Sequence, residues 1–116
     1  MDWGKVGTAF FIMMSLTTTV GFVVDGDPYE LIASVTFNLI ATLLKVGSKK
    51  TLSAELLATS LAADLHLIPA LIFYEIGARS SLVEALAWGA LVANVFSVIL
   101  LITETVLEAK EEEWWS

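Results

Sequence analysis

Asp64 and His66 stand two residues apart inside the run SAELLATSLAADLHLIPALIFYEIG, with Glu55 toward its start and Glu75 toward its end. A carboxylate and an imidazole are both side chains that burial can bring to a charge change near neutral pH, so the pair reads as a proton relay or an ion-binding site. The same two groups are equally suited to a satisfied hydrogen bond between helices, and both readings stay open for each. A charge at the centre of a membrane helix costs about 2.5–3.5 kcal/mol on insertion scales, so Asp64 needs a partner or a task. Pro69 leaves the carbonyl one turn earlier, that of Leu65, without its helical donor, which would add an oxygen to the same polar region.

At 100° per residue, Ser53, Ser60, Asp64 and Glu75 fall on one side of this helix, and Glu55, Thr59, Ala62 and His66 on another. A helix polar on two sides avoids bare lipid on both, which calls for a central position or a second copy of the chain. Homo-oligomerisation is expected on that ground. Asn38 shares a side with Ser34, Ala41 and Lys45, and Asn94 lies beside the small residues Ala85, Gly89, Ala93 and Ser97, whose four-residue spacing forms a helix-packing stripe. The asparagines read chiefly as interhelical glue, with Asn38 also a candidate on an ion pathway. Glu104 has Lys45 and Lys49 as expected partners at the same depth.

The elements that would hold these residues are helices in lipid. Of the 116 residues 57% are hydrophobic and 16% charged, with a mean hydropathy of +0.79. Too few polar residues remain to wrap a soluble core. Four apolar stretches, about 6–24, 31–46, 52–77 and 82–107, approach or exceed the roughly 20 residues that cross a membrane. A barrel would need at least about eight alternating strands. The fold class is therefore all-α: a polytopic membrane protein with four transmembrane helices in an antiparallel bundle, one domain over 1–110 and an acidic tail over 111–116.

Short connections punctuate the spans. Asp27 before Pro28 reads as a cap and first-turn proline, and Ser48 or Thr51 before Glu55 offers the third helix the same service. Lys5, Lys45, Lys49, Lys50 and Lys110 fall on one side of such a bundle and Arg79 alone on the other. The positive-inside bias then places both termini in the cytoplasm, and the first hydrophobic segment reads as retained rather than as a cleaved signal. Trp115 and Ser116 match the start of a common C-terminal affinity tag and carry no functional weight.

The sharpest local pattern is SLTTTVGF, residues 15–22, followed by Asp25 and Asp27. Thr18, Thr19, Val20, Gly21 and Phe22 resemble the TTVGF stretch of the potassium-channel selectivity filter, although Val23 stands where the filter has its second glycine. The resemblance implies a cation pathway lined by backbone carbonyls and threonine hydroxyls. Two geometries follow. In one, the segment spans the membrane and its threonines bond their own helix. In the other, 9–16 is a short re-entrant pore helix and the N-terminus lies outside. The length of the first stretch and Lys5 favour the span. Separately, ELLATSLAADLHLIPA is similar to a segment of small bacterial inner-membrane proteins with four helices, which implies fold and location, a bacterial or archaeal cytoplasmic membrane, but supplies no activity.

The absence of cysteine excludes thiol chemistry and disulfides. No nucleophile with a base, zinc-ligand spacing or glycine-rich phosphate loop occurs, so no catalysis, metal site or cofactor is expected. Six basic residues without a stripe exclude nucleic acid, even before the net charge of −7 is considered. The expectation is a homo-oligomeric membrane channel or small-ion transport protein, its partners lipid, itself and a small inorganic cation. The alternative is a structural or accessory subunit.

Overall fold

The computed structural model describes residues 3–47, 54–77 and 80–115. Ser48, Lys49, Lys50, Thr51, Ser53, Arg79 and Ser116 lie outside the described residues, and with them the expected cap of the third helix and part of the charge bias.

Each apolar stretch forms one helix: α1 Trp3–Asp25, α2 Pro28–Gly47, α3 Ala54–Glu75 and α4 Ser80–Trp115. All four are long and apolar enough to cross a membrane, and α4 continues past the expected span into the acidic tail. Gly26 ends α1 at φ 71°, a left-handed conformation that glycine adopts without a Cβ penalty, and its amide bonds the Phe22 carbonyl at 2.7 Å. Asp27 then caps α2 as expected, its carboxylate accepting the Tyr29 amide at 2.9 Å, with Pro28 as the first helical residue.

Inward positions recur at alternating steps of three and four, the spacing of a bundle seam. On α1 they are Thr8, Ile12, Ser15, Thr19 and Phe22. On α4 they are Val83, Ala87, Ala90, Asn94, Ser97 and Leu101. Neighbouring helices pack as α1–α2, α2–α3, α3–α4 and α4–α1, with no diagonal contact among the described residues, so the bundle is square. Side-chain pairings run antiparallel at each contact: Ser15 to Asn38, Lys45 to Leu56, Thr59 to Ser97 and Asn94 to Ser15.

The bundle is apolar outside and polar inside. Phe10, Met13, Leu43, Leu61, Ile72, Trp88 and Phe96 are exposed, whereas Ser15, Ser34, Asn38, Thr42, Lys45, Ser60, Asp64, Asn94 and Ser97 are buried. Water would favour the reverse, whereas a surface of this kind suits lipid. The interior is layered. Phe22, Leu31, Val35, Leu67, Ala70, Val83, Ala87 and Ala90 form an apolar layer toward the end that carries the 25–28 turn. Ile12, Ala41, Leu56 and Leu101 form another toward the end that carries both termini. Most of the buried polar residues occupy the band between them, whereas Lys45 starts level with the terminal layer and Thr8 lies beyond it.

The small-residue stripe does not form the seam of α4. Four residues advance a helix by about 400°, so such a row drifts about 40° per step. Ser97 is buried, Gly89 and Ala93 are half-buried, and Ala85 is exposed.

Candidate functional site

Asp64 is the centre of the polar band, 7% exposed. Asn38 on α2 donates its amide to Asp64 Oδ1 at 2.5 Å, and also to the Ser60 carbonyl at 3.2 Å. The Thr42 hydroxyl, one turn further along α2, lies 2.7 Å from Asp64 Oδ2 and 2.9 Å from the Asn38 carbonyl, and its single hydrogen serves one of them at a time. Both carboxyl oxygens thus meet polar partners on one neighbouring helix, which offsets the cost of their burial.

The network continues in both directions. Asn38 Oδ1 lies 3.0 Å from the Ser15 hydroxyl of α1, which accepts from Asn94 Nδ2 of α4 at 3.2 Å. One chain of bonds therefore crosses all four helices. Toward the terminal end, Lys45 is 4% exposed and donates to the Leu56 carbonyl at 3.0 Å and to the Ser60 hydroxyl. Asp64 and Glu104 are the carboxylates that act on its ammonium. Lys45 is thus drawn into the bundle, where the sequence placed it beside Glu104 at the membrane boundary; Lys49, the other expected partner of Glu104, lies outside the described residues.

Two carboxyl groups flank this column at opposite ends. Glu30 leans on Gly21, where an added Cβ would meet its Oε1 at 2.5 Å. Among the described residues no hydrogen bond reaches Glu30 Oε2 or Glu104 Oε2, although both atoms are buried. Beyond the apolar layer, at the end of the 25–28 turn, a cavity of about 300 Å³ is lined by Phe22, Gly26, Tyr74, Gly77, Ser80, Val83 and Glu84. The Phe22 ring meets Tyr74 edge-on beside it, with centroids 6.3 Å apart.

His66 is not brought to Asp64. Two residues along a helix turn about 200°, and the imidazole faces α4, where its edge fills the space left by Gly89. Its Nδ1 lies 2.7 Å from the Ala62 carbonyl; a carbonyl only accepts, so Nδ1 carries the hydrogen. Pro69 contributes nothing to the polar band either, because Leu65, whose carbonyl it frees, is 74% exposed on the outer face. Thr59, on the His66 side, pairs with Ser97 of α4 at 2.6 Å. The two polar sides of α3 therefore meet α2 and α4 of the same chain, and the ground for a second copy is met within one bundle.

The threonine run lies within one continuous helix rather than in a loop that follows a short pore helix. Thr18 bonds the Met14 carbonyl at 2.8 Å and Thr19 that of Ser15 at 2.7 Å, inside an unbroken α1. Among the described residues positive φ occurs only at Gly26 and Gly77, so Gly21 has no filter-like backbone. Thr19 is buried, Thr18 and Gly21 half-buried and Val20 exposed. What Gly21 supplies is room for Glu30.

Sequence reasoning missed Ser15, Thr42 and the inward reach of Lys45. Thr42 follows Asn38 by four residues, and Ser15 sits on the 8, 12, 15, 19, 22 seam, so both signals were present in the spacing.

No curated protein and no solved structure matches the chain. Residues 25–105 match a family of unknown function, DUF6394; the match takes in α2, α3 and most of α4, with Asn38, Thr42, Lys45, Ser60, Asp64, Asn94 and Glu104, and leaves out the threonine run. Since it covers well over half of the sequence, this chain belongs to the DUF6394 family.

Proposed function

We propose that the chain is a polytopic membrane protein that moves a small cation through the interior of its own bundle, with Asp64 as the midplane station. The observation that carries this reading is an Asp and a Lys buried together in a bundle whose outer surface suits lipid, with the carboxyl groups of Glu30 and Glu104 toward either end. Ionisable groups inside a membrane segment are costly and mark ion or proton pathways by default. The apolar layers on both sides of the band fit stepwise passage through an occluded station rather than an open water-filled pore. The excess of lysines at one end orients both termini toward the cytoplasm of a bacterial or archaeal cell. In a homo-oligomer associating through outward residues such as Ala85, each bundle keeps its own pathway.

A second reading has its own support: both oxygens of Asp64 are fully engaged, as in a staple that only fixes helix register in a structural or accessory subunit. Flux separates the two. Purified protein in liposomes under an imposed gradient should pass potassium, sodium or protons faster than protein-free vesicles. Asp64→Asn, which keeps size and most hydrogen bonding but not the charge, should return the flux to the protein-free rate with helix content unchanged. An inactive wild type, or an Asp64→Asn chain as active as wild type, would leave the staple reading standing.

A further inference from the structure

We infer that Asp64 is a proton-binding site and that the Thr42 hydroxyl serves both its charged and its protonated form; within the transport reading above, on which its role rests, the proton is the ion held at the station. A threonine hydroxyl has one hydrogen and two lone pairs. That of Thr42 lies 2.7 Å from Asp64 Oδ2 and 2.9 Å from the carbonyl of Asn38, one turn back on its own helix. Beside a carboxylate, its hydrogen points to Oδ2 in a charge-assisted bond. Beside a carboxylic acid the bond reverses: Oδ2 donates to Thr42 Oγ1, and the threonine hydrogen turns to the Asn38 carbonyl. A carbonyl only accepts, so the hydroxyl has an acceptor in either position. Neither form leaves a buried polar hydrogen stranded at this contact, and no heavy atom has to move.

Asn38 decides which side of the carboxyl takes the proton. Its amide nitrogen lies 3.2 Å from the Ser60 carbonyl, a partner that only an N–H can meet, and the same nitrogen donates to Asp64 Oδ1 at 2.5 Å. The orientation of the amide is thereby fixed. A proton directed at Asn38 would face that N–H, whereas one on Oδ2 directed at Thr42 meets a lone pair. In the binding step, a proton supplied by water forms one O–H bond on Oδ2 and neutralises the carboxylate. Release reverses it, and the threonine breaks no covalent bond.

The other titratable groups make no printed bond to this carboxyl. From α2, the Lys45 ammonium bonds the Leu56 carbonyl and the Ser60 hydroxyl. From α4, Asn94 faces the band, and Glu104 lies toward the terminal end. From α1, Ser15 faces the band, and Lys5 lies at the terminal end. On α3 itself His66 faces α4 and Glu55 is exposed, and toward the turn end Glu30 of α2 leans on Gly21.

The test is infrared spectroscopy of the full chain in lipid bilayers across pH, with the aspartate carboxyls labelled with carbon-13. In a chain carrying Asp2→Asn, Asp25→Asn and Asp27→Asn, Asp64 is the only aspartate, so the label reports on it alone; asparagine at 27 keeps a capping side chain. The expected result is a carboxylic C=O band that carries the isotope shift, grows as the pH falls and is lost reversibly as it rises. Thr42→Val, which removes the acceptor of the Oδ2 proton, should move the band to higher wavenumber, and Thr42→Ser should leave it in place. A labelled carboxyl that stays ionised, or stays protonated, over the whole pH range in which the helices persist would overturn the proton site. A band at one position in all three chains would remove Thr42 from it. The spectrum with Thr42 intact decides the site whether or not Thr42→Val folds. Ion flux in the liposome assay above without a titrating Asp64 would overturn this inference and leave the transport reading intact. A titrating Asp64 in a chain that passes no ion would support the proton site and remove its role in transport.

Discussion

Asp64→Leu is expected to destabilise the bundle by about 3–5 kcal/mol, the cost of leaving a buried charge without its partner. The substitution removes the acceptor of the Asn38 amide and the Thr42 hydroxyl, and it takes away one of the two carboxylates that act on Lys45. Hydrogen bonds between membrane helices average only about 0.6 kcal/mol in double-mutant cycles. Two such bonds fall well short of the total, so the stranded ammonium dominates the loss. Lys45→Met in the same chain should therefore recover most of the stability, and reversible unfolding in mixed detergents measures both. A double variant as unstable as Asp64→Leu alone would show that Lys45 does not depend on Asp64.

The second large effect is expected at Gly89. A Cβ there would collide with the His66 ring, lying 2.7 Å from Nε2 and closer still to Cδ2. The imidazole is held by its bond to the Ala62 carbonyl and has little freedom to yield. Gly89→Ala should cost about 1–3 kcal/mol, the range of an overpacked core. His66→Ala in the same chain should remove most of that cost, because the two residues share one space. Gly21→Ala provides the contrast: its Cβ meets the carboxylate of Glu30, the free end of a flexible side chain, and the expected loss is small. Equal losses at the two glycines in unfolding measurements would count against this account of the α3–α4 contact.

The two glycines also show what a sequence does and does not carry. Helix number, the α1–α2 turn at Gly26 to Pro28 and the two polar sides of α3 were legible, because each depends on spacing along one segment. Asp64 was legible as costly wherever it lay. Its partners were not: Asn38 was visible as polar, but that it meets Asp64 rather than another helix depends on how α2 and α3 rotate against each other. Gly21 drew attention for a backbone it does not adopt, since five consecutive residues resemble a filter while their helical context decides their conformation. The stripe at Ala85, Gly89, Ala93 and Ser97 meets α3 at Gly89 and Ser97 and leaves Ala85 exposed, because a strict four-residue repeat rotates away from a seam that alternates three and four. His66 and Asp64 are close in sequence and face different helices.

The central claim is that the pathway lies inside one chain rather than between copies. The most direct measurement is flux of potassium, sodium and protons into liposomes as protein is diluted to below one chain per vesicle. A pathway within the bundle predicts that the fraction of active vesicles follows the fraction holding at least one chain. A dependence on the second or higher power of protein concentration would place the pathway between copies and contradict the account.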